Sequence, residues 1–307
     1  LYVFGENPMR SDPDIAHVEH CLRHVPFLVV QDIFLTETAR LADVVLPGAS
    51  FAEKDGTFAS TERRVQRIRR AIRPVGDSRP DWEILAELLL RLGRPERYAS
   101  PEAVFDEMRR LTPSHAGITY ARLEAGGIQW PCPDESHPGT PILHVGGCAR
   151  GPGKFVALTH KEPAEPPDAD YPLTLTTGRV VAHYHTGTMT RRCFGLAGTW
   201  PEELAEVHPD DAAACGIADG DAIEVRSRRG AVRARAWVTR RVRPGLVFLT
   251  FHFSESPANA LTIAAADPVT GTPQLKACAV AVRKIEDAAA ASPPADATKE
   301  PSSCHPA

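Results

Sequence analysis

The sequence has 307 residues, of which 43% are hydrophobic and 24% are charged, and its formal net charge is -4. A chain of this length can form two domains with sizeable cores. The weak negative charge gives no reason to expect nucleic acid as a partner, and no apolar run approaches the ~18 residues of a membrane-spanning helix.

The first part of the sequence alternates between predicted strands and helices. Apolar residues predict short strands at residues 1–5, 27–31 and 43–46, and hydrophobic positions at helical spacing lie between residues 15 and 25. Strands that alternate with helices are typical of a parallel, doubly wound sheet. We therefore assign residues 1–125 to an α/β domain with a doubly wound sheet.

Two further features lie in this first domain. The run 61–70 is very basic, and its arginines are interpreted mainly as the solvated face of a strand, with neutralisation of phosphates as the alternative. Asp81 is predicted as the N-cap of a helix with a leucine-rich face, and Ser100 and Pro101 predict the start of another helix.

Hydrophobic periodicity is lost between residues 126 and 167, where Gly, Pro and His dominate. We interpret this segment as an irregular connection between two domains. Alternating short strands and one short helix then predict a small closed barrel of five or six strands over residues 168–286. Residues 287–307 are rich in Ala, Ser and Pro, and they predict a disordered tail.

The most informative segment follows the first strand of this second domain. Residues 176–190, which we call the cradle segment, combine two His, several Thr hydroxyls, one Arg and two Gly residues where a strand ends. Such a set can offer many hydrogen bonds to an anionic, heteroatom-rich ligand. A strand end followed by a solvated loop is the alternative interpretation.

The seven cysteines are widely spaced, and the closest pair, Cys132 and Cys148, is sixteen positions apart. No C-x-x-C pair occurs, which argues against an iron–sulfur cluster or a structural zinc ion within this stretch. An odd number of dispersed cysteines is typical of reduced thiols in the cytoplasm.

The run TGRVVAHYHTGTMTRR, residues 177–192, contains nearly all of the cradle segment and resembles the pterin-contacting segment of the molybdopterin oxidoreductase (DMSO reductase) family in the form of formate dehydrogenase alpha subunits. Other parts of the sequence resemble this family in order and spacing over residues 1–285. They are Gly5-Glu6-Asn7-Pro8, Val30-Gln31-Asp32-Ile33-Phe34, Ala42-Asp43-Val44-Val45-Leu46-Pro47, Glu53-Lys54-Asp55-Gly56-Thr57, Asp81-Trp82, Asp219-Gly220-Asp221, Asn259 and Lys276.

The resemblance implies that residues 1–125 are a partial, doubly wound α/β domain of the nucleotide-binding type and that a small six-stranded barrel follows. It also implies a molybdenum or tungsten ion held between two molybdopterin guanine dinucleotides. It implies oxidation of formate to carbon dioxide, with electrons passing through a [4Fe-4S] cluster to iron–sulfur, flavin or NAD-linked partner subunits. An assimilatory nitrate reductase is the first alternative. A non-catalytic relative, such as the large subunit of NADH dehydrogenase, is the second.

The sequence begins with Leu1 and not with Met, so we expect it to be the C-terminal part of such an enzyme. The cluster cysteines, the metal ligand and the substrate-binding residues of the family have no match here, so no catalytic residue and no metal ligand are assigned. The resemblance implies that the remaining cofactor contacts are made by the residues of this chain. These are Asn7, Gln31, Asp32, Lys54, Asp81, Thr177, Gly178, Arg179, His183, Tyr184, His185, Thr186, Phe251, Asn259 and Lys276.

Overall fold

A computed structural model describes residues 1–94, 97–148 and 150–285. The described residues form two compact units: the first contains those of residues 1–9 and 19–161, and the second contains residues 10–18 and 162–285. The fold is mixed α/β with a closed six-stranded barrel, which confirms the predicted fold class. The tail predicted at 287–307 lies outside the described residues.

Short helices and strands alternate along the chain. The α-helices are α1 (Pro8–Ser11), α2 (Ile15–His24), α3 (Asp81–Arg91), α4 (Pro101–Leu111), α5 (Tyr120–Leu123), α6 (Phe194–Thr199) and α7 (Pro209–Ala214). The strands are β1 (Tyr2–Phe4), β2 (Val29–Asp32), β3 (Val44–Pro47), β4 (Gly56–Ala59), β5 (Arg64–Ile68), β6 (Ile128–Gln129), β7 (Leu173–Gly178), β8 (Leu204–Val207), β9 (Ala222–Arg226), β10 (Ala231–Val238), β11 (Leu246–Thr250) and β12 (Cys278–Lys284).

The first unit contains a parallel sheet of β1, β2 and β3 in that order. The register aligns Val3 with Val30, and Val30 with Val45. Val30 is fully buried because it lies on the central strand, as expected for the β-branched residues of a covered parallel sheet. The strands predicted from the apolar runs are therefore present and parallel.

A second, antiparallel sheet of β4, β5 and β6 packs with α4 and α5 around a small core that includes Val65, Phe105 and Tyr120. The side chain of Ser100 accepts a hydrogen bond from the Ala103 N–H and so caps α4, as predicted. The strand β6 lies within the stretch 126–167, which therefore differs from the wholly irregular connection that we expected. Strand β6 has only two residues, both paired with β5, and so short a strand leaves no alternating hydrophobic pattern in the sequence.

The second unit is built on the barrel, whose strands follow one another in the order β10, β8, β11, β7, β12 and β9. The burial pattern of strand β7 explains why the barrel forms. Leu173, Leu175 and Thr177 point inward and alternate with half-buried residues. Strand β8 was not predicted from the sequence, because its four residues lie among glutamates and do not alternate. It is held by pairing with both β10 and β11.

Candidate cofactor-binding site

A cavity of about 490 Å³ lies in the second unit, where the chain leaves β7 and β11. Strands β7 and β11 are parallel neighbours, with Gly178 opposite Thr250, so the residues that follow them meet at one rim of the barrel. The cavity brings together seven of the residues predicted from the sequence. They are Thr177, Gly178, Arg179, His185, Phe251, Asn259 and Lys276.

The cavity is cationic. The Arg179 guanidinium lies 5.4 Å from the centre of the Phe251 ring, and the Lys276 ammonium lies 5.8 Å from the same centre. Lys276 also donates a hydrogen bond of 2.7 Å to the Thr177 carbonyl, and burial together with the Arg179 charge lowers the pKa of this lysine. No carboxylate occurs among the described residues that line the cavity. Two cations without a counter-ion in the cavity wall favour an anionic ligand.

Asn259 acts as a clamp on the wall of this cavity. Its side chain is buried, and its amide nitrogen donates to the Arg10 carbonyl at 2.9 Å and to the Ser11 carbonyl at 3.1 Å. Both residues belong to the segment 10–18, which is part of the second unit. The side-chain amide of Asn259 thus holds the backbone of Arg10 and Ser11 beside the cavity. Ser11 itself lines the cavity.

Three of the residues predicted in the cradle segment, His183, Tyr184 and Thr186, do not line the cavity. His183 is buried, donates from Nε2 to the Trp200 carbonyl at 2.8 Å, and has Nδ1 3.2 Å from the Thr190 hydroxyl. Tyr184 is 72% exposed. The Thr186 hydroxyl is hydrogen-bonded to a neighbouring threonine within the segment. The two ring nitrogens of His183 are therefore occupied by protein atoms, which gives this residue a structural role in the segment.

The sequence analysis missed His252, the residue that fixes the cradle segment. Its Nε2 accepts a hydrogen bond of 3.0 Å from the Val180 N–H, and its Nδ1 donates to the His185 carbonyl. The ring is 1% exposed. One feature could have pointed to His252. It directly follows Phe251, just beyond β11, and β11 is parallel to β7, the strand that leads into the cradle segment.

Glycine is required at Gly187, where the segment turns back. The residue has a φ of +73°, and a Cβ at this position would lie 2.5 Å from the His252 carbonyl oxygen. We expect Gly187→Ala to displace the segment and to lower the amount of bound cofactor in the complete protein several-fold, since both strain and a clash are introduced. Metal and pterin analysis of the purified variant checks this.

The matched control for this prediction is Gly195→Ala. A Cβ added at Gly195 would have no atom within 4 Å, and the residue has no positive φ. Equal cofactor contents in the two variants would contradict the requirement for glycine at position 187.

In the first unit, four side chains form a chain of hydrogen bonds near the ends of β1 and β2. The Tyr2 hydroxyl donates to Gln31, Gln31 donates to Asp81 at 2.8 Å, and Asp81 forms an ion pair with Lys54. Three of these residues were predicted as nucleotide contacts. The predicted N-cap role of Asp81 is wrong: α3 begins at Asp81 itself, and its carboxylate binds Gln31 and Lys54.

Lys54 and Asp81 also line a second cavity of about 310 Å³ in the first unit. Its wall is mostly aromatic and aliphatic and includes Trp82, Phe105 and Tyr120. The Tyr120 hydroxyl is buried, and no hydrogen-bond partner for it occurs among the residues that the structure describes. A polar rim beside an apolar wall suits a ligand with a flat ring and a charged group.

The other two predicted residues of the first unit make local contacts. Asn7 is buried; its carbonyl accepts from the N–H and the hydroxyl of Thr38, and its amide donates to Glu37 at 2.9 Å. An oxygen of Asp32 accepts a hydrogen bond from the Phe34 N–H, as in an Asx turn. Both side chains brace the loops that follow the parallel strands.

Neither a metal site nor a membrane span is found in the described part of the chain. No group of three or more His, Cys, Asp or Glu side chains within residues 1–94, 97–148 and 150–285 is arranged to hold a metal ion. None of the helices in those ranges combines the length and the apolar character needed to cross a membrane.

Two family models match the chain. Residues 1–91 match "Molybdopterin oxidoreductase", and residues 173–279 match "Molydopterin dinucleotide binding domain". The second range contains the barrel strands β7 to β11, the cradle segment and all of the cavity residues predicted from the sequence.

Curated relatives are similar over almost the whole chain. The "F420-dependent formate dehydrogenase subunit alpha" of Methanocaldococcus jannaschii is 52% identical over 289 residues, which are 93% of this chain and 43% of the relative. The "Assimilatory nitrate reductase catalytic subunit" of Bacillus subtilis is 38% identical over 299 residues, which are 93% of this chain and 42% of the relative. The chain thus spans less than half the length of these relatives.

A solved structure shares the fold. Acetylene hydratase from Pelobacter acetylenicus superposes with a TM-score of 0.69 over 92% of this chain and 44% of that chain, at 17% sequence identity.

Proposed function

Because this chain belongs to the molybdopterin oxidoreductase family and carries its dinucleotide-binding domain, we propose that it forms part of a formate dehydrogenase that oxidises formate to carbon dioxide. Its part in that enzyme is to bind a molybdopterin guanine dinucleotide. The observation that carries the binding role is the cationic cavity between the ends of β7 and β11.

The residues of the cavity fit such a cofactor. A dinucleotide carries a diphosphate, and Arg179 and Lys276 supply two cations that no lining carboxylate neutralises within the described chain. Thr177 and Ser11 add hydroxyl groups, and the Phe251 ring offers an apolar face. When bound, the metal-carrying cofactor supplies the redox chemistry, while the protein orients it and sets its electrostatic surroundings.

In this proposal each group of site residues has its own part. Arg179 and Lys276 bind the anionic portion, and Asn259, His183 and His252 hold the surrounding backbone in place. Gln31, Lys54 and Asp81 of the first unit are proposed contacts for the nucleotide part of a cofactor. Asn7 and Asp32 support the loops beside them. No catalytic residue is assigned to this chain.

Formate as the substrate is supported by identity. The chain is 52% identical to a formate dehydrogenase alpha subunit and 38% identical to a nitrate reductase over the same share of its length. The nitrate reductase is therefore the second candidate. The cationic cavity argues against a non-catalytic relative that has lost the pterin, because such a relative has no need for two cations in one cavity without a lining carboxylate.

We further propose the cofactor set and partners of the complete protein: two dinucleotides with molybdenum or tungsten, a [4Fe-4S] cluster outside this chain, and electron-transfer subunits. The relative in M. jannaschii is named for F420, whereas the resemblance implied iron–sulfur, flavin or NAD-linked partner subunits and left the acceptor open. We propose the cytoplasm as the compartment, supported by the described cysteines, none of which is paired in a disulfide.

Assays of the complete protein test the proposed function. We expect formate to reduce a viologen dye, and we expect no reduction of nitrate by a reduced viologen. Parallel assays with NAD and with coenzyme F420 identify the acceptor. Nitrate reduction without formate oxidation would replace the proposed function with the second candidate.

A further inference from the structure

His252 binds the cradle segment at three points. Its ring accepts from the Val180 N–H at 3.0 Å and donates to the His185 carbonyl, and its own carbonyl lies against Gly187. These three contacts cover the stretch from residue 180 to residue 187, which carries the cavity residue His185. One side chain therefore connects the end of β11 to the loop that follows β7.

The two hydrogen bonds define one form of the imidazole. A backbone N–H can only donate, so Nε2 must be without a proton, and a carbonyl can only accept, so Nδ1 must carry one. The ring of His252 is therefore neutral. Protonation of Nε2 would place two donors opposite each other and would break the bond to Val180.

The second hydrogen bond of His252, from Nδ1 to the His185 carbonyl, matters for the shape of the cavity. His185 is a non-glycine residue with a φ of +50°, a backbone conformation that costs free energy unless neighbouring contacts hold it. The His185 carbonyl is the acceptor of the His252 Nδ1–H. Losing this contact would let the backbone at His185 relax and move its side chain out of the cavity.

The charges around His252 also favour the neutral ring. The basic side chains that act on it are Arg179, His183 and His185, all from the cradle segment, and beyond Gly187 the Arg191–Glu255 ion pair is internally neutralised. The His183 ring lies 5.6 Å away, and Phe251 and Phe253 flank the ring along its own stretch of chain. Burial, and then the neighbouring positive charges, lower the pKa of His252, which is opposed by its bond to His185.

We propose that His252 is the positioning residue of the dinucleotide cavity: as a neutral, Nδ1-protonated imidazole it clips the cradle segment to the end of β11 through Val180 and His185, and protonation of Nε2 breaks the bond to Val180 and so loosens the segment. The consequence for cofactor retention rests on the proposed function. The clip itself does not, because it is formed by residues of this chain alone.

The direction of the pH effect follows from the lowered pKa. The clip is fully formed above the ordinary pKa of histidine, near 6.5, and is lost as the pH falls through the lower pKa of the folded protein. The complete enzyme is therefore expected to release its dinucleotide more readily in mild acid than at neutral pH.

Hydrogen exchange of the complete protein, prepared without cofactor, tests the clip. After correction for the intrinsic rate at each pH, the amides of residues 179–187 are expected to exchange on the order of ten-fold faster at pH 5 than at pH 7.5. His252→Gln keeps an acceptor and a donor but does not titrate, so its segment is expected to stay protected at both pH values. His252→Leu is expected to exchange fast at both.

Three further variants separate His252 from other histidines. His183→Gln and His185→Gln are expected to keep the pH step, and so is His208→Gln, which removes a buried histidine at the start of α7. A wild-type segment with equal protection at pH 5 and pH 7.5, or a His252→Gln segment that keeps the step, would overturn the proposal. These outcomes remain measurable even if His252→Leu does not fold.

Cofactor retention is then measured separately on the loaded enzyme. Pterin released by gel filtration at pH 5 is expected to be several-fold greater for the wild type than for His252→Gln. If the segment shows the expected pH dependence of exchange but the complete protein never binds pterin, the proposed function is refuted and the positioning role of His252 still holds. Equal pterin release with a correct exchange result would refute the link between the clip and retention.

Discussion

Replacing both Arg179 and Lys276 by glutamine is expected to remove most of the bound dinucleotide from the complete protein. In the proposed binding role, each change removes a charge-assisted hydrogen bond to the diphosphate, worth about 1.5 to 3 kcal/mol, so the two together should weaken binding roughly 10² to 10⁴-fold. Glutamine keeps the polarity of the side chains, which limits other effects. Metal content and the fluorescence of oxidised pterin measure the loss.

Arg243→Gln provides the matched control, because Arg243 is an exposed arginine of the barrel unit that does not line the cavity. It is expected to keep wild-type cofactor content. Full occupancy in the double variant would show that the two cations do not bind the dinucleotide, and the cavity would lose its proposed role.

Replacing Glu203 by glutamine is expected to stabilise the barrel unit at alkaline pH. Glu203 is buried, and both of its carboxyl oxygens contact Thr250. Oε1 accepts a hydrogen bond of 2.9 Å from the Thr250 N–H, and Oε2 lies 2.6 Å from the Thr250 hydroxyl. Burial raises the pKa of this carboxyl from its ordinary value near 4.5 to about 8, with a smaller contribution from the Glu255 charge. The folded protein thus holds a neutral carboxyl at neutral pH.

The sign of the effect follows from proton binding. Between pH 4.5 and 8 the unfolded chain has lost this proton and the folded chain keeps it, so the free energy of unfolding falls as the pH rises. The shift corresponds to about 4 kcal/mol over this range. Glutamine has the shape of the neutral acid and does not titrate, so Glu203→Gln should equal the wild type near pH 4.5 and exceed it increasingly toward pH 8.

Thermal unfolding of the complete protein at pH 5 and pH 8.5 measures the difference. Glu202→Gln is the control, since Glu202 is half-exposed and forms a surface ion pair with Arg235. It should change the unfolding temperature little at either pH. A Glu203→Gln variant that is destabilised equally at both pH values would contradict the neutral, buried carboxyl.

The sequence predicted the parts of the fold that depend on local pattern. Apolar runs around Val3, Val30 and Val45 predicted strands, and the structure pairs these residues in parallel. Alternation in β7 and the long β10 predicted a barrel, which the structure closes. These features follow from the side chains of each segment, so neighbours far away in the sequence were not needed to find them.

The details of the site depended on contacts between distant residues. His183 and His252 are both buried histidines, and only the structure shows that His252 faces the Val180 N–H across 72 positions of sequence. Asp is a residue type that commonly caps helices, but the carboxylate of Asp81 forms an ion pair with Lys54, which lies 27 positions earlier in the sequence. Such pairings are set by the tertiary fold and leave no local pattern to read.

The order of strands in the barrel bears on when the cavity forms during synthesis. Strand β12 pairs with β7 and with β9, and the pair Val280 and Leu173 joins residues more than a hundred positions apart. Closing so long a loop is entropically costly and slow, so we expect the pairing of β12 with β7, which we call the seam of the barrel, to form last. Lys276 lies just before β12, and its bond to Thr177 spans the same seam. If the cavity holds the cofactor as proposed, a ribosome-bound chain that has not yet completed β12 lacks part of the binding site, and we expect the cofactor to be inserted only after this strand has been translated.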